Sequence, residues 1–149
     1  MPKIDPAKAE VSQGSRYPSP HDAPCAERLR RRLGDAGGLG QFGVNQLTLA
    51  PGVWSSQRHW HSHEDEFVYV LSGEVVLVTD ADEETLRAGD SAAFPAGEPN
   101  GHHLVNRSAA PATLLEVGTR SPDDVTTYSA IDMMAGPDGL YRTKAGVPL

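Results

Sequence analysis

The sequence contains a single cysteine, Cys25, among its 149 residues. One thiol cannot form a disulfide within the chain, and nothing in the sequence resembles a cysteine-rich metal site. No apolar run approaches the roughly 20 residues that a membrane-spanning helix needs. The N-terminal residues MPKIDPAKAEVSQGS also lack the apolar core of a secretory signal. These absences predict a cytoplasmic protein with no membrane partner.

An excess of positive charge is also lacking. Acidic residues outnumber basic ones by 20 to 13, and the formal net charge is −7. A chain with this charge repels nucleic acid and anionic lipid on average, which predicts no nucleic-acid partner. A local basic run, Arg28-Leu29-Arg30-Arg31-Arg32, stands beside acidic residues. We interpret it as a solvated or interface-facing cluster.

Glycine and proline, in contrast, are abundant. The 15 glycines and 12 prolines favour turns and short strands over long helices. Short apolar segments separated by turn residues begin at Phe42 and are typical of an antiparallel β-sandwich or barrel. The predicted strands cover residues 44–49, 57–61, 67–71, 75–79, 84–86, 91–94, 102–105 and 112–117.

Three predictions concern how these segments are organised. Residues 1–41 are expected to form an extended N-terminal arm, in which 26–33 has the pattern of a short helical stretch. Residues 42–118 form the β-barrel, and 119–149 form an irregular tail that packs on the barrel or on a partner subunit. Ser72-Gly73 joins two apolar segments and predicts a β-hairpin there.

Five of the six histidines fall in two clusters, which are His59, His61 and His63, and then His102 and His103. Residues two apart on a strand share a face, so His59 and His61 point to the same side. Two imidazoles at that spacing can both reach one metal ion at about 2.1 Å. Glu66 opens the next predicted strand and adds a carboxylate, and His102 supplies a fourth ligand from a distant strand. This set suits Fe(II) and also accepts Mn, Ni, Zn or Cu.

Several alternatives stay open at this point. His61 and His63 are also two apart, so a shifted register would put His63 in the place of His59. His103 is the alternative to His102. Gln57 shares the face of His59 and is a candidate to line the pocket. Glu64 and the neighbouring Asp65 are interpreted as solvated loop charges, with a role in proton transfer as the alternative.

The run HWHSHEDE, followed by a glycine after six further residues, resembles the first motif of the cupin superfamily, H-x-H-x(3,4)-E-x(6)-G. The second cupin motif, G-x(5)-P-x-G-x(2)-H-x(3)-N, is matched by Gly89, Pro95, Gly97, His102 and Asn106. Four residues rather than two separate Gly97 from His102. The H-x(3)-N ending favours His102 over His103 as the ligand. The longer runs RHWHSHEDEFVYVLSGE and FPAGEPNGHHLVN look like small bacterial single-domain cupins.

This resemblance implies a jelly-roll barrel (a double-stranded β-helix), a mononuclear metal near one mouth, and a homodimer. Because the fold hosts many chemistries, it does not imply one substrate. We expect a small-molecule enzyme with a divalent metal held by His59, His61, Glu66 and His102. An oxidoreductase of the dioxygenase type is favoured because the ligand set suits redox metals. The alternatives are a metal-dependent isomerase or lyase, or a cupin that only binds a small ligand.

Overall fold

The computed structural model describes residues 2–149, and β-strands dominate its regular structure. The strands are Val11–Gln13 (β1), Leu29–Arg32 (β2), Phe42–Leu49 (β3), His59–His61 (β4), Glu66–Ser72 (β5), Glu74–Thr79 (β6), Glu83–Arg87 (β7), Ser91–Phe94 (β8), His102–Val105 (β9), Ala112–Thr119 (β10), Thr126–Tyr128 (β11), Met133–Ala135 (β12) and Tyr141–Arg142 (β13). Helical structure in these residues is limited to Leu33–Ala36 (α1) and the 3-10 turns Pro6–Lys8 and Ala23–Cys25. None of residues 2–149 belongs to a helix long and apolar enough to cross a membrane.

The strands form two antiparallel sheets. The first sheet has the order β1-β2-β3-β10-β5-β8, and the second has the order β13-β12-β11-β4-β9-β6-β7. In both sheets, strands that are distant in sequence lie side by side, as β3 and β10 do over eight residue pairs. The all-β jelly-roll prediction is therefore confirmed.

The core lies between the two sheets. Leu47, Val70 and Leu114 from the first sheet pack with Val75 and Leu104 from the second, and each is at most 3% exposed. Alternate residues on these strands face the interior, which follows from the two-residue period of a β-strand. Removal of this apolar surface from water is the main favourable contribution to the fold.

The inner face of the first sheet changes character along its strands. Leu114 on β10 is buried in the core, but Glu116, two residues further along, is a charged residue on the same face. On β5 the same change separates the core residue Val68 from Glu66 at the start of the strand. The space between the sheets therefore has an apolar region, which contains Val68 and Leu114, and a region lined by charged side chains, which include Glu66 and Glu116.

The predicted β-hairpin at Ser72-Gly73 is wrong. β5 pairs with β10 and β8 in the first sheet, whereas β6 pairs with β7 and β9 in the second. Gly73, with a φ of 76°, turns the chain from one sheet into the other, and a Cβ there would lie 2.8 Å from the carbonyl oxygen of Pro111. A short turn between apolar segments is thus compatible with both connections, and packing of the two sheets decides between them.

The segment 26–33 also differs from its predicted helical form. Residues Leu29–Arg32 are strand β2, which pairs with β1 and with β3. Pairing with two neighbours outweighs the local helical preference of a short arginine-rich run. The C-terminal residues are likewise more regular than the sequence suggests, because β11, β12 and β13 extend the second sheet beside β4.

Candidate metal centre

Glu66 is the carboxylate on which three histidines converge. Its Oε2 lies 2.7 Å from Nε2 of His102 and 3.5 Å from Nε2 of His59, and its Oε1 lies 3.3 Å from Nε2 of His61. His59 and His102 are buried, whereas His61 and Glu66 are half-buried. The structure therefore brings together all four residues that the sequence predicts as ligands. Their binding of a metal ion stays a prediction.

The pairing of strands explains this convergence. His59 and His61 lie on one face of β4, and His59 stands opposite His102 of β9 in the antiparallel register. Glu66 comes from the other sheet, where it pairs with Phe94 of β8. The ring of Phe94 stacks on the imidazole of His102, with centroids 3.5 Å apart and planes at 2°. The second sheet thus supplies the imidazoles, and the first sheet supplies the carboxylate.

Two of the histidines are oriented through their second ring nitrogen. Nδ1 of His59 lies 2.8 Å from the carbonyl oxygen of Gln57, and Nδ1 of His61 lies 2.6 Å from Oδ2 of Asp124. Because a carbonyl or carboxylate oxygen accepts hydrogen bonds, Nδ1 carries the hydrogen in both rings. Nε2 is then the nitrogen that each ring directs towards Glu66, and in a neutral ring it is the nitrogen whose lone pair a metal ion would take. Such partners are typical of metal-binding histidines.

The charges at the site are set by burial and by these contacts. Burial favours the neutral form of Glu66, but His59 and the hydrogen bonds from the histidines lower the pKa of Glu66 well below its ordinary value. Burial lowers the pKa of His61, but Glu66 and Asp124 together raise that pKa to about 9. Burial lowers the pKa of His102, partly offset by its hydrogen bond to Glu66. The site therefore holds an ionised carboxylate, as a cation site requires.

The other histidine candidates lie elsewhere. His63 is exposed, and its Nδ1 contacts Oγ of Ser62 at 2.7 Å. His103 is buried on the other face of β9, where it donates from Nδ1 to the carbonyl oxygen of Ser56 and packs edge-on against Trp54. Neither contacts Glu66. The strand parity that favours His102 over His103 therefore agrees with the structure.

The side chains of Gln57 and Asn106 donate hydrogen bonds to backbone carbonyl oxygens. The side chain of Gln57 is buried and donates to the carbonyl oxygen of His21 at 2.7 Å, so it holds the N-terminal segment. Asn106 is fully buried and donates to the carbonyl oxygens of Leu49 and Ala110, both at 2.8 Å. Both residues support the barrel rather than the centre itself.

Asp124 is the residue that sequence reasoning missed. It lies in the C-terminal segment, and besides binding His61 it accepts a hydrogen bond from the backbone N–H of His63 at 2.9 Å. No local pattern around Asp124 points to a histidine more than sixty residues earlier. Together with Glu64, Asp124 also places two carboxylates near Nδ1 of His61, at 2.6 and 3.7 Å. Because that nitrogen already donates to Asp124, this second group does not offer a lone pair of His61 to an ion.

Glu64 is not the solvated loop charge that the sequence suggests. It is half-buried, and its Oε1 accepts a hydrogen bond from the backbone N–H of Ser121 at 2.9 Å. Burial raises the pKa of Glu64, and the hydrogen bond from Ser121 opposes that change. Glu64 therefore adds a second carboxylate beside Glu66.

Two cavities open onto this centre. The smaller has a volume of about 60 Å³ and the larger about 620 Å³, and both are lined by Glu64 as well as by His61, Glu66 and His102. The larger one is within the range of small-molecule sites, about 300–1,000 Å³. An organic molecule of modest size can therefore reach the four converging side chains.

Similarity to known proteins agrees with this architecture. The model of the cupin domain family matches residues 45–118. A sugar phosphate isomerase of the cupin superfamily from Silicibacter pomeroyi is 51% identical, covers 99% of this chain and 96% of its own, and superposes with a TM-score of 0.93. This chain belongs to the cupin superfamily. The resemblance seen in the HWHSHEDE run is thereby confirmed, and the four converging residues of this cupin are those of its two motifs.

A second solved structure is also similar to this cupin. It comes from Acidithiobacillus ferrooxidans and is proposed to be a sugar phosphate isomerase. It is 33% identical, covers 79% of this chain and 72% of its own, and has a TM-score of 0.70. No curated protein matches the sequence.

Proposed function

We propose that this cupin is a metal-dependent isomerase that acts on a phosphorylated sugar. The observation that carries the proposal is the convergence of three imidazoles and one carboxylate at the wall of a cavity large enough for such a molecule. The similarity to a sugar phosphate isomerase over almost the whole chain supports the reaction class. The dioxygenase chemistry favoured by the ligand types alone has no such support.

The donor set of the centre fits a divalent transition metal. His59, His61 and His102 each direct Nε2 towards Glu66, whose carboxylate is ionised. Imidazole and carboxylate ligands accept Fe, Mn, Ni and Zn alike, so this set does not select one metal. A bound divalent ion supplies a Lewis acid that stabilises negative charge on a carbonyl or enediol oxygen of the substrate.

Proton transfer and exclusion of water are assigned to residues of the chain itself. Interconversion of an aldose and a ketose moves one proton between C2 and C1 and a second between O2 and O1. A carboxylate within reach of both carbons can carry the first, and the second can exchange between the two oxygens through water. Glu64 lines both cavities and is fixed by its hydrogen bond from Ser121. Phe94 covers His102 on one side and excludes water from that side of the centre. Glu64 is therefore our candidate proton carrier.

The test follows exchange of the substrate proton. The full chain, purified without an affinity tag, is loaded in turn with Mn(II), Fe(II), Ni(II) or Zn(II) and incubated in D2O with pentose and hexose phosphates. Deuterium incorporation at C2, followed by NMR, together with aldose–ketose interconversion, is the expected result. Glu64→Gln is expected to abolish both while metal content is unchanged. Absence of exchange and interconversion across the panel, in protein shown to hold metal, would contradict the proposal.

A further inference from the structure

The basic run 28–32, interpreted from its sequence as a solvated or interface-facing cluster, faces a cavity on one side of β2. Arg28, Arg30 and Arg32 line the larger cavity, the same cavity that His59 and Glu66 line. Arg31 lies on the opposite face of β2 and donates to the carbonyl oxygen of Pro6 instead. The two-residue period of the strand explains this division. Positive charge is thereby directed into the cavity that the metal centre shares.

Arg28 is the most enclosed of these residues, at 6% exposure. Its Nη1 donates to the carbonyl oxygen of Ser55 at 2.6 Å and its Nη2 to that of Gly14 at 2.7 Å. Its Nε has no hydrogen-bond partner, and no carboxylate of residues 2–149 forms an ion pair with it. Carbonyl oxygens orient a guanidinium without neutralising its charge, and an uncompensated buried charge is costly. Arg28 therefore favours an anion in the cavity.

Arg30 lies beside Arg28 on the same wall. Its Nε is 2.5 Å from Oε1 of Glu116, and Asn45 donates to the same carboxylate at 3.0 Å. Burial, followed by the nearby positive charge of Arg30, lowers the pKa of Arg28. Arg16 lines the cavity as well, and within the described part of the chain it pairs with no carboxylate. Arg32 completes the wall and pairs with Glu10, with 3.8 Å between Nε and Oε1. This wall thus has four arginines against two glutamates, Glu10 and Glu116.

We infer that Arg28 and Arg30, with Arg16 at the rim, bind the phosphate group of the substrate. The inference rests on the proposed function, since it assigns one part of the proposed substrate to one wall of the cavity. A guanidinium offers two parallel N–H groups to a phosphate, and such charge-assisted pairs are among the stronger hydrogen bonds in proteins. A dianion also balances the excess positive charge of the wall. The sugar carbons then extend from the phosphate towards the carboxylate and imidazoles of the metal centre.

Isothermal titration of the full chain tests this inference, both as purified and after removal of metal with a chelator. The probes are glucose, glucose 6-phosphate and gluconate, so that a phosphate, a carboxylate and a neutral sugar are compared. We expect glucose 6-phosphate to bind at least ten-fold more tightly than glucose or gluconate, with or without metal. Equal affinities for the three probes would overturn the inference.

Variants on one strand separate a specific site from a general effect of charge. Arg30→Gln is expected to weaken binding of glucose 6-phosphate about ten-fold or more. Arg31→Gln removes the same charge from the neighbouring residue on the opposite face and is expected to change affinity less than two-fold. Equal losses in both variants would show that only the net charge matters and would overturn the assignment.

Glu116→Gln is expected to change the affinity for glucose 6-phosphate in the opposite direction from Arg30→Gln. Its carboxylate competes with a phosphate for Arg30, so its neutralisation is expected to tighten binding several-fold. A purely structural role of the Arg30–Glu116 pair predicts weaker binding instead, which would count against the inference. This variant also avoids Arg28→Gln, whose loss of two backbone contacts endangers the fold.

The binding measurements and the isomerisation assay test the phosphate site and the proposed function separately. Tight, Arg30-dependent binding of glucose 6-phosphate without any isomerisation would uphold the phosphate site and refute the proposed function. Isomerisation of sugar phosphates that is unaffected in Arg30→Gln would uphold the function and refute the phosphate site.

Discussion

The hydrogen bond between Asp124 and His61 allows a quantitative prediction about the metal centre. Asp124 accepts from Nδ1 of His61 with Oδ2 and from the backbone N–H of His63 with Oδ1. Asp124→Asn keeps the size of the side chain, and its single amide oxygen can still accept from Nδ1 of His61. In that orientation the change removes the negative charge and replaces the oxygen beside the backbone N–H of His63 with an amide nitrogen. The loss of metal affinity then reports how strongly the carboxylate orients His61 and raises its basicity.

The magnitude follows from the geometry. The two side chains are buried or half-buried and 2.6 Å apart, so solvent screens the interaction little. A hydrogen bond to a charged group is worth about 1.5–3 kcal/mol and a neutral one about 0.5–1.5 kcal/mol. The difference of about 1–2 kcal/mol corresponds to a loss of about 5–30-fold in metal affinity. Losses of this size are typical for hydrogen-bond partners of metal ligands.

The assay is competition for Zn(II) between the protein and a chromophoric chelator, with Asp123→Asn as the matched control. Asp123 is the exposed neighbour of Asp124, and none of the ion pairs in residues 2–149 involves it. We expect the control to retain the affinity of the wild-type chain. Equal affinity of Asp124→Asn and the wild type would refute this reasoning.

Three further outcomes are expected. His102→Gln should lower metal affinity by more than about 100-fold, because loss of an outer hydrogen-bond partner alone typically costs 10–100-fold. His103→Gln should not lower metal affinity in this way. Comparable losses in the two variants would restore His103 as the fourth ligand. Cys25 is fully buried, and burial raises the pKa of its thiol; it should react with a disulfide reagent at pH 8 only after unfolding in guanidinium, and fast labelling of native protein would contradict its placement. The homodimer stays a prediction, and Phe67 and Tyr69 expose about 40% of their surface on one face of β5; light scattering should show a dimer that Tyr69→Lys dissociates, and a monomeric wild type would contradict it.

The local sequence pattern was sufficient to predict features that depend on residues close together in the chain. Runs of β-branched and aromatic residues between turn residues predicted strands β3 to β10 to within about two residues at most ends. The two-residue period placed His59 and His61 on one face and separated His102 from His103. The same period did not reveal the face towards which Arg28 and Arg30 point, because the sequence does not state what lies beside β2.

Contacts between distant segments were decided by the tertiary structure alone. Ser72-Gly73 is as suitable for a hairpin as for a crossing between sheets, and only the packing of both sheets around one core selects the crossing. Asp124 meets His61 because β11 pairs with β4, a pairing with no sequence signal of its own. The sequence by itself determined which side chains are chemically suited to hold a metal. The long-range pairing of strands determined which groups orient those side chains and which charges share their cavity, since those interactions exist only between parts of the chain that folding brings together.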